Sequence, residues 1–469
     1  MSTAIHWFRR DLRITDNTAL NAAVAAHTHV VLVHVFSAWE GEHRWCGAAR
    51  QEFLCGCLAS LAKNLEAKGG RLLIRQGAAD AELEKLVREC GASAIYFNRD
   101  PDPFGRAMEN RVAAVASRLG VSVHACKDHA MYERDEVLTG DGKPFRVFTP
   151  YSRAWRSLEK TSASKTLARI STPPHLASLS LPTLAMWKLK SSARIVEAGE
   201  SAARKRLGRF LDGPVLRYAE RRDFPAGENT SRLSQDFRFG LLSIREVYAD
   251  CIALAKKSDP AGRRGIDIFV NELIWREFYM QVLWHAPEVL AHEFQSKYRD
   301  LRWRSHWRPG EQDAGADFER WCAGQTGFPI VDAGMRELLA TGFMHNRLRM
   351  ITAMFLTKDL HIWWMHGESW FMRCLVDGEI ASNNGGWQWS ASTGTDAAPY
   401  FRIQNPWTQG SRFDPDGEYI RRWIPGLRDV RSEDLHRPPH GAESLAKSYP
   451  APMLNHTTER EFALKMFAR

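Results

Sequence analysis

Five short apolar runs fall within the first 130 residues: AIHWF, HVVLVHVF, RLLIRQG, SAIYFNR and VSVHA. Runs of this length without polar alternation suit strands buried on both faces. Stretches of helical period separate them, clearest in RQEFLCGCLASLAKNLEAKGG, where the Gly–Gly end acts as a stop. Strand–helix alternation at this spacing predicts a doubly wound, Rossmann-like parallel sheet over residues 1–130. The region holds neither GxGxxG nor a Walker A motif, so the usual dinucleotide and nucleotide fingerprints are excluded. A ligand at the carboxyl ends of the strands is still geometrically natural.

Beyond this the rhythm changes. Residues 131–200, with segments such as SASKTLARISTPPHLASLSLP, read as an irregular interdomain connector that wraps the first domain. Residues 201–469 are helical and aromatic-rich with no convincing strand, which predicts an all-α second domain; no internal repeat is visible. A chain of 469 residues is long enough for two full cores. Hydrophobic content of 44% and charged content of 25% are those of a soluble globular protein. No apolar run reaches transmembrane length, and MSTAIHWFRRDLR lacks the apolar core of a signal peptide, so a cytoplasmic protein without membrane contact is expected. The eight Cys are scattered and form no CxxC, which indicates no metal site and no disulfide framework. A net charge of +9 favours a polyanionic partner. Seventeen Trp, clustered after residue 270, suit base stacking, contact with a planar cofactor such as a flavin, or electron transfer.

The stretch DGEIASNNGGWQWSASTGTDAAPYFRIQNP, from Asp377, puts two Asn, two Gly and two Trp into Asn383–Trp389. Gly385 and Gly386 predict a sharp turn or a close approach of backbone to a flat ligand. Trp387 and Trp389 would then point to different sides, one to a cofactor and one to a substrate; a loop anchored by two Trp is the plainer alternative. TSRLS, Thr230 to Ser234, offers hydroxyls, backbone donors and Arg232 at a helix start, which suits phosphate oxygens or an ordinary cap. IDIFVNELIWREFYMQVL predicts a long helix from near Ile266, with Glu272, Trp275, Arg276 and Tyr279 on one stripe. In GFMHNRLRMITAMF, Asn346, Arg349 and Met350 share a helix face.

From IHWFRRDLRITDN to WIPGLRDV, these motifs in this order resemble the DNA photolyase/cryptochrome family, most nearly its class I cyclobutane pyrimidine dimer photolyases. The resemblance implies reduced FAD in the helical domain. Tyr218, Thr230, Ser231, Arg232, Leu233 and Ser234 match contacts to the cofactor, TSRLS those to its pyrophosphate, and Arg276 faces the cofactor side. Arg349 pairs with Asp377 beside the flavin ring, and Asn383 lies next to flavin N5, the repair-type residue at that place. Glu379 stands where the family commonly has Asp, which leaves its charge but shifts its reach. Damaged DNA is implied as the partner of Arg222, Glu272, Trp275, Asn346, Arg347, Met350 and Trp389, with Glu272 bonding the flipped pyrimidines. Trp387 and Trp364 match the inner and middle members of an electron-hopping chain; Trp303 or Trp307 ends it, with Trp303 preferred.

FNRDPDPFGRAMENRV resembles an antenna site of the 8-hydroxy-5-deazaflavin type, with Arg50, Asp100 and Asp102 at matching places. Gly105 replaces the Glu of a folate-binding antenna; methenyltetrahydrofolate or FMN are the alternatives. Only Cys322 and Cys374 fall in the flavin-domain core, against the iron–sulfur branch. The implied activity is light-driven dimer repair by a monomer. The rival is a signalling cryptochrome, for which the forty or so residues after WIPGLRDV are few.

Overall fold

A computed structural model describes residues 2–37, 39–41, 43–164, 166–304, 312–395, 402–441 and 443–468. The five apolar runs are strands: β1 (Thr3–Phe8), β2 (His29–Phe36), β3 (Leu72–Gln76), β4 (Ala94–Asn98) and β5 (Ser122–Cys126). They form one parallel sheet in the order β3-β2-β1-β4-β5, with Ile5 opposite Val31 on one side and Ile95 on the other. The crossovers are α1 (Thr18–Ala26), α2 (Ala48–Glu66), α3 (Ala79–Cys90) and α4 (Pro103–Leu119). Several of their ends have a local cause. Asn17 caps α1 through Leu20 N, Asp102 caps α4 through Gly105 N, and Gly91 and Gly120 end α3 and α4 in the left-handed conformation.

The strand period of two sorts the side chains onto two cores. Ile5, Trp7, Val31 and Val33 pack under α3 and α4. Ala4, Phe8 and Leu32 face the other way, into a core that continues without a break to Phe210, Phe269 and Leu273 of the helical region. A separate core, around Trp321, Phe355, Trp364 and Trp387, serves the helical region alone.

The segment 131–200 does wrap the sheet region: Ser171 O accepts from Val30 N at 2.8 Å, and Leu179 N donates to Ile74 O at 3.0 Å. It is not wholly irregular, since α5 (Phe148–Ser157) buries Tyr151 and Trp155 at helical spacing. The helical region is organised on α6 (Pro260–His285), α7 (Asn346–Met354), α8 (Trp364–Cys374) and α9 (Ile380–Ala391). α6 begins six residues before the expected Ile266, because Asp259 caps it through Gly262 N and Pro260 is pre-set for a first turn. After β5 the described residues form no further named strand, and no described helix is long and apolar enough to cross a membrane.

Candidate functional site

The expected turn at Gly385–Gly386 is the middle of α9, and neither glycine has a positive φ. Two interior glycines cost a helix about 1 kcal/mol each. Tertiary bonds offset this. Asn384 donates to Val289 O at 3.0 Å and to Glu368 Oε1 at 2.9 Å, and Gln388, one turn on, donates to Val289 O at 3.1 Å. Gly385 is needed for packing: a Cβ there would lie 2.1 Å from the Tyr279 ring of α6. Gly367 of α8 lies just as close to the Trp387 ring, so α9 is wedged between α6 and α8. Helix geometry, rather than a turn, sends Trp387 and Trp389 to opposite sides. Trp387 is buried, while Trp389 is half-buried under the Arg402 guanidinium, 5.0 Å from its ring centre.

The other residues expected to hold a flavin are placed as follows. Asn383 Nδ2 donates to Glu368 O at 3.1 Å. Arg349 Nη2 meets Asp377 Oδ2 at 2.7 Å, the pairing expected from the sequence. His345, held down to about 4 by burial, is neutral, and its Nδ1 accepts from Arg347 N at 3.1 Å to cap α7. The sequence reading missed that cap. Thr230 and Ser231 are half-buried, Leu233 is buried, and Ser234 opens the short helix Ser234–Arg238. Arg232 between them has φ +51°, an uncommon backbone for a residue other than glycine, and its guanidinium lies 3.6 Å from the Phe343 ring centre. Tyr218 is buried, its hydroxyl pushed up by burial and by Glu272.

This surface fits a flavin nucleotide on three observations. Asp377 Oδ1 and Trp387 Nε1 are buried without a hydrogen-bond partner among the described residues. A Cβ added at Gly386 would meet nothing within 4 Å. Arg232 and Arg349 both approach Phe343, which concentrates positive charge beside Thr230 and Ser231.

The residues expected to contact DNA are joined by two neighbours in one segment. Arg222 Nη1 pairs with Glu272 Oε1 of α6, and Asp223 Oδ1 accepts from Arg347 Nη2 of α7 at 2.7 Å. Glu272 is thus paired with Arg222, fifty positions earlier, and not with Arg276 one turn along its own helix. Asp223 was not singled out in the sequence. Trp275 stacks on Phe148 at 3.7 Å and 5°, and is half-buried. Asn346 is exposed at the start of α7, and Met350 Sδ lies 3.9 Å from Arg347 Nη1.

The electron-chain candidates are buried: Trp387 at 2%, Trp364 at 0% and Trp303 at 6% exposure. Arg304, next to Trp303 in the chain, ties that segment to the one before α8: its N donates to His361 O at 2.8 Å and its O accepts from Trp363 N at 3.4 Å. The Trp303 ring itself packs edge to face on Phe467. Trp307 lies outside the described residues.

The carboxyl ends of β1 and β4, the natural crevice of such a sheet, meet the helical region through a buried charge cluster. Arg10 reaches Asp100 at 2.8 Å, Asp102 at 3.5 Å and, across the interface, Glu379 Oε2. Burial alone would raise Glu379, but Arg10, Arg238 and Arg276 hold it below the usual carboxylate range. Burial, then Asp100, pushes Asp102 up to about 7. Arg276, expected at the cofactor, donates to His129 O at 2.6 Å on the edge of this cluster. Arg50 donates to Leu375 O at 2.9 Å and Trp45 O at 2.7 Å, clamping α2 to the end of α8. Of the three expected antenna residues, Asp100 lines a small cleft together with His129, Tyr132, Arg134 and Trp284; Asp102 and Arg50 do not. Arg106 and Arg134 lie over the Trp284 ring at 3.5 Å and 4.4 Å.

Two family models match the chain: DNA photolyase over residues 4–172, and the FAD binding domain of DNA photolyase over residues 269–469. A deoxyribodipyrimidine photo-lyase of Synechococcus sp. is 37% identical over 477 residues, covering 97% of this chain and 94% of the relative. Among solved structures, a class III photolyase from Agrobacterium tumefaciens superposes with a TM-score of 0.90 at 35% identity, covering 100% of this chain and 97% of that one. A Synechocystis sp. cryptochrome superposes with a TM-score of 0.89 at 26% identity, covering 99% of each chain.

Proposed function

The chain belongs to the DNA photolyase/cryptochrome family, and on that premise we propose that it splits cyclobutane pyrimidine dimers in DNA under blue or near-ultraviolet light. The observation that carries the reading is the double tie through Arg222 and Asp223, which joins Glu272 of α6 to Arg347 of α7. Such a tie fixes two helices on either side of a pocket, as a rigid site for a flipped lesion requires. Trp275, with one face on Phe148, keeps its stem fixed while the ring serves as a stacking surface. Glu272 accepts hydrogen bonds from the base edges, and Asn346, Met350 and Trp389 line the pocket. Arg222 and Arg347 supply positive charge toward the phosphates, so affinity is salt-dependent and indifferent to sequence. Flipping costs least where pairing is already weakened, so recognition of damage and reaction share one pocket.

Reduced FAD, held by Tyr218, Thr230 to Ser234, Arg349, Asp377 and Asn383, would supply the light-driven electron and take it back after the ring opens. Asn383, with its amide nitrogen held by Glu368 O, leaves an amide oxygen to accept from a protonated ring nitrogen. Trp364, Trp387 and Trp303 would carry electrons inward to restore the reduced cofactor. A second chromophore, of the deazaflavin type or else methenyltetrahydrofolate or FMN, belongs at the cleft beside Asp100, where two guanidinium groups over Trp284 favour a planar, acidic ligand.

The likeness to a cryptochrome supports a second reading, a blue-light receptor that signals through partner binding. One experiment separates them. Photoreduced protein is mixed with an oligonucleotide carrying one cyclobutane thymine dimer, and recovery of thymine absorbance is followed with and without blue light. Light-dependent recovery that is lost in Asn346→Ala and Trp389→Ala establishes repair. Photoreduction without recovery refutes it in favour of the receptor.

A further inference from the structure

Glu293 lies between the short helices Pro287–Leu290 and Ser296–Tyr298, is 3% exposed, and has no part in the chemistry above. Its Oε1 accepts two indole N–H bonds, from Trp363 at 3.1 Å and from Trp364 at 3.1 Å. The two rings stand edge to face, 6.5 Å between centres. The segment carrying Glu293 is pinned to α9 from both sides. Gln388 Oε1 accepts from Phe294 N at 2.8 Å, and Gln388 Nε2 donates to His292 O at 3.2 Å. Gln388 sits between Trp387 and Trp389, so the carboxylate is fixed by the same helix that carries the inner Trp. The other two members of the chain differ: Trp387 Nε1 and Trp303 Nε1 are buried and find no acceptor among the described residues.

We propose that Glu293 is a positioning residue for light-driven electron transfer, fixing Trp364 and stabilising the positive charge left on that indole. The proposal rests on the flavin reading above. With flavin bound, Trp387 would supply the electron that the light-excited oxidised cofactor takes up and would recover one from Trp364. Trp364 is left one electron short with all its protons, its positive charge facing the buried carboxylate, until Trp303 returns an electron and is itself refilled by an external thiol. A charge-assisted hydrogen bond in a site that excludes water favours the charged indole far more than a neutral one. The middle Trp thereby holds the hole long enough for Trp303 to fill it, and return of the electron from Trp387 to Trp364 is opposed. Trp363, on the same oxygen and half-buried, is held as a neighbour of that hole.

The test compares the flavin-loaded full chain with Glu293→Gln, which removes the charge and keeps an acceptor, and Glu293→Asp, which keeps the charge. Ultraviolet resonance Raman bands of the indole N–H report the two hydrogen bonds without any turnover. Flash photolysis reports the lifetime of the oxidised Trp and the yield of photoreduction. In Glu293→Gln the Raman band shifts, the oxidised Trp decays faster, and the yield falls at least roughly ten-fold, the scale of a hydrogen bond to a charged group. Glu293→Asp recovers part of the yield. Dimer repair by chemically reduced protein is the same in all three, which separates a redox role from a folding role. A wild-type photoreduction yield in a folded Glu293→Gln variant overturns the proposal, as does an equal loss in photoreduction and in repair. If the wild-type chain photoreduces its flavin but repairs no dimer, the repair reading fails while the Glu293 comparison stands.

Discussion

Arg10→Met tests the charge cluster that docks the helical region on the sheet. The guanidinium is 8% exposed and faces Asp100 at 2.8 Å, Asp102 at 3.5 Å and Glu379. Methionine replaces most of the aliphatic stem, so the loss is chiefly electrostatic. Removing one partner of a buried pair costs about 3–5 kcal/mol, and Arg238 and Arg276 beside Glu379 keep the cost near the lower end, about 3 kcal/mol at pH 8. The pH dependence has a fixed sign. In the wild type Glu379 is held below its usual range, so its contribution is present above that range and lost as pH falls through the lowered value. Without Arg10, burial dominates and the value rises. The contribution is then present at low pH and lost as pH climbs. The stability gap between wild type and variant therefore widens from pH 5 to pH 8, and at pH 5 it is less than about half of its pH 8 value. Urea unfolding followed by circular dichroism at the two pH values measures this. Arg10→Met/Glu379→Met recovers most of the loss, because an apolar pair replaces a broken ionic one. A loss below about 1 kcal/mol at pH 8, or an equal loss at both pH values, refutes the reasoning.

Gly385→Ala drives a methyl group into the Tyr279 ring and costs about 1–3 kcal/mol by thermal melting, whereas Gly386→Ala meets no neighbour, leaves folding unharmed and lowers the flavin absorbance per chain. Glu277→Ala strips the acceptor from Trp155 Nε1 and from the N–H groups of Met131 and Tyr132, a loss of about 3 kcal/mol in urea unfolding. Burial pushes Glu277 up to about 7, so its contribution is present below the usual carboxylate range and lost as pH rises through 7; Glu277→Gln flattens that decline. Arg222→Ala or Arg347→Ala lowers the salt slope of dimer-DNA binding by about 1, measured by fluorescence anisotropy over a salt series.

The sequence by itself determined the sheet region. Five apolar runs and their helices are local patterns, and burial on both faces leaves such runs no other arrangement. The Arg349–Asp377 pair came from the family resemblance rather than from any local pattern, as did the naming of Trp364 and Trp387 as members of one electron chain. Tertiary structure alone decided what α9 is. Its Asn-Asn-Gly-Gly composition argues locally for a turn, and only Val289 O and Glu368, with the Tyr279 ring pressed on Gly385, hold it as a helix. The same holds for partners chosen across long sequence separations. Glu272 pairs with Arg222 rather than with Arg276 one turn away, and Glu379 uses its extra methylene to reach Arg10. Asp223, His345 and Glu293 left no mark in the chain because each acts through a neighbour fixed by folding. Periodicity records which face of an element is buried; it does not record which polar group that face will meet.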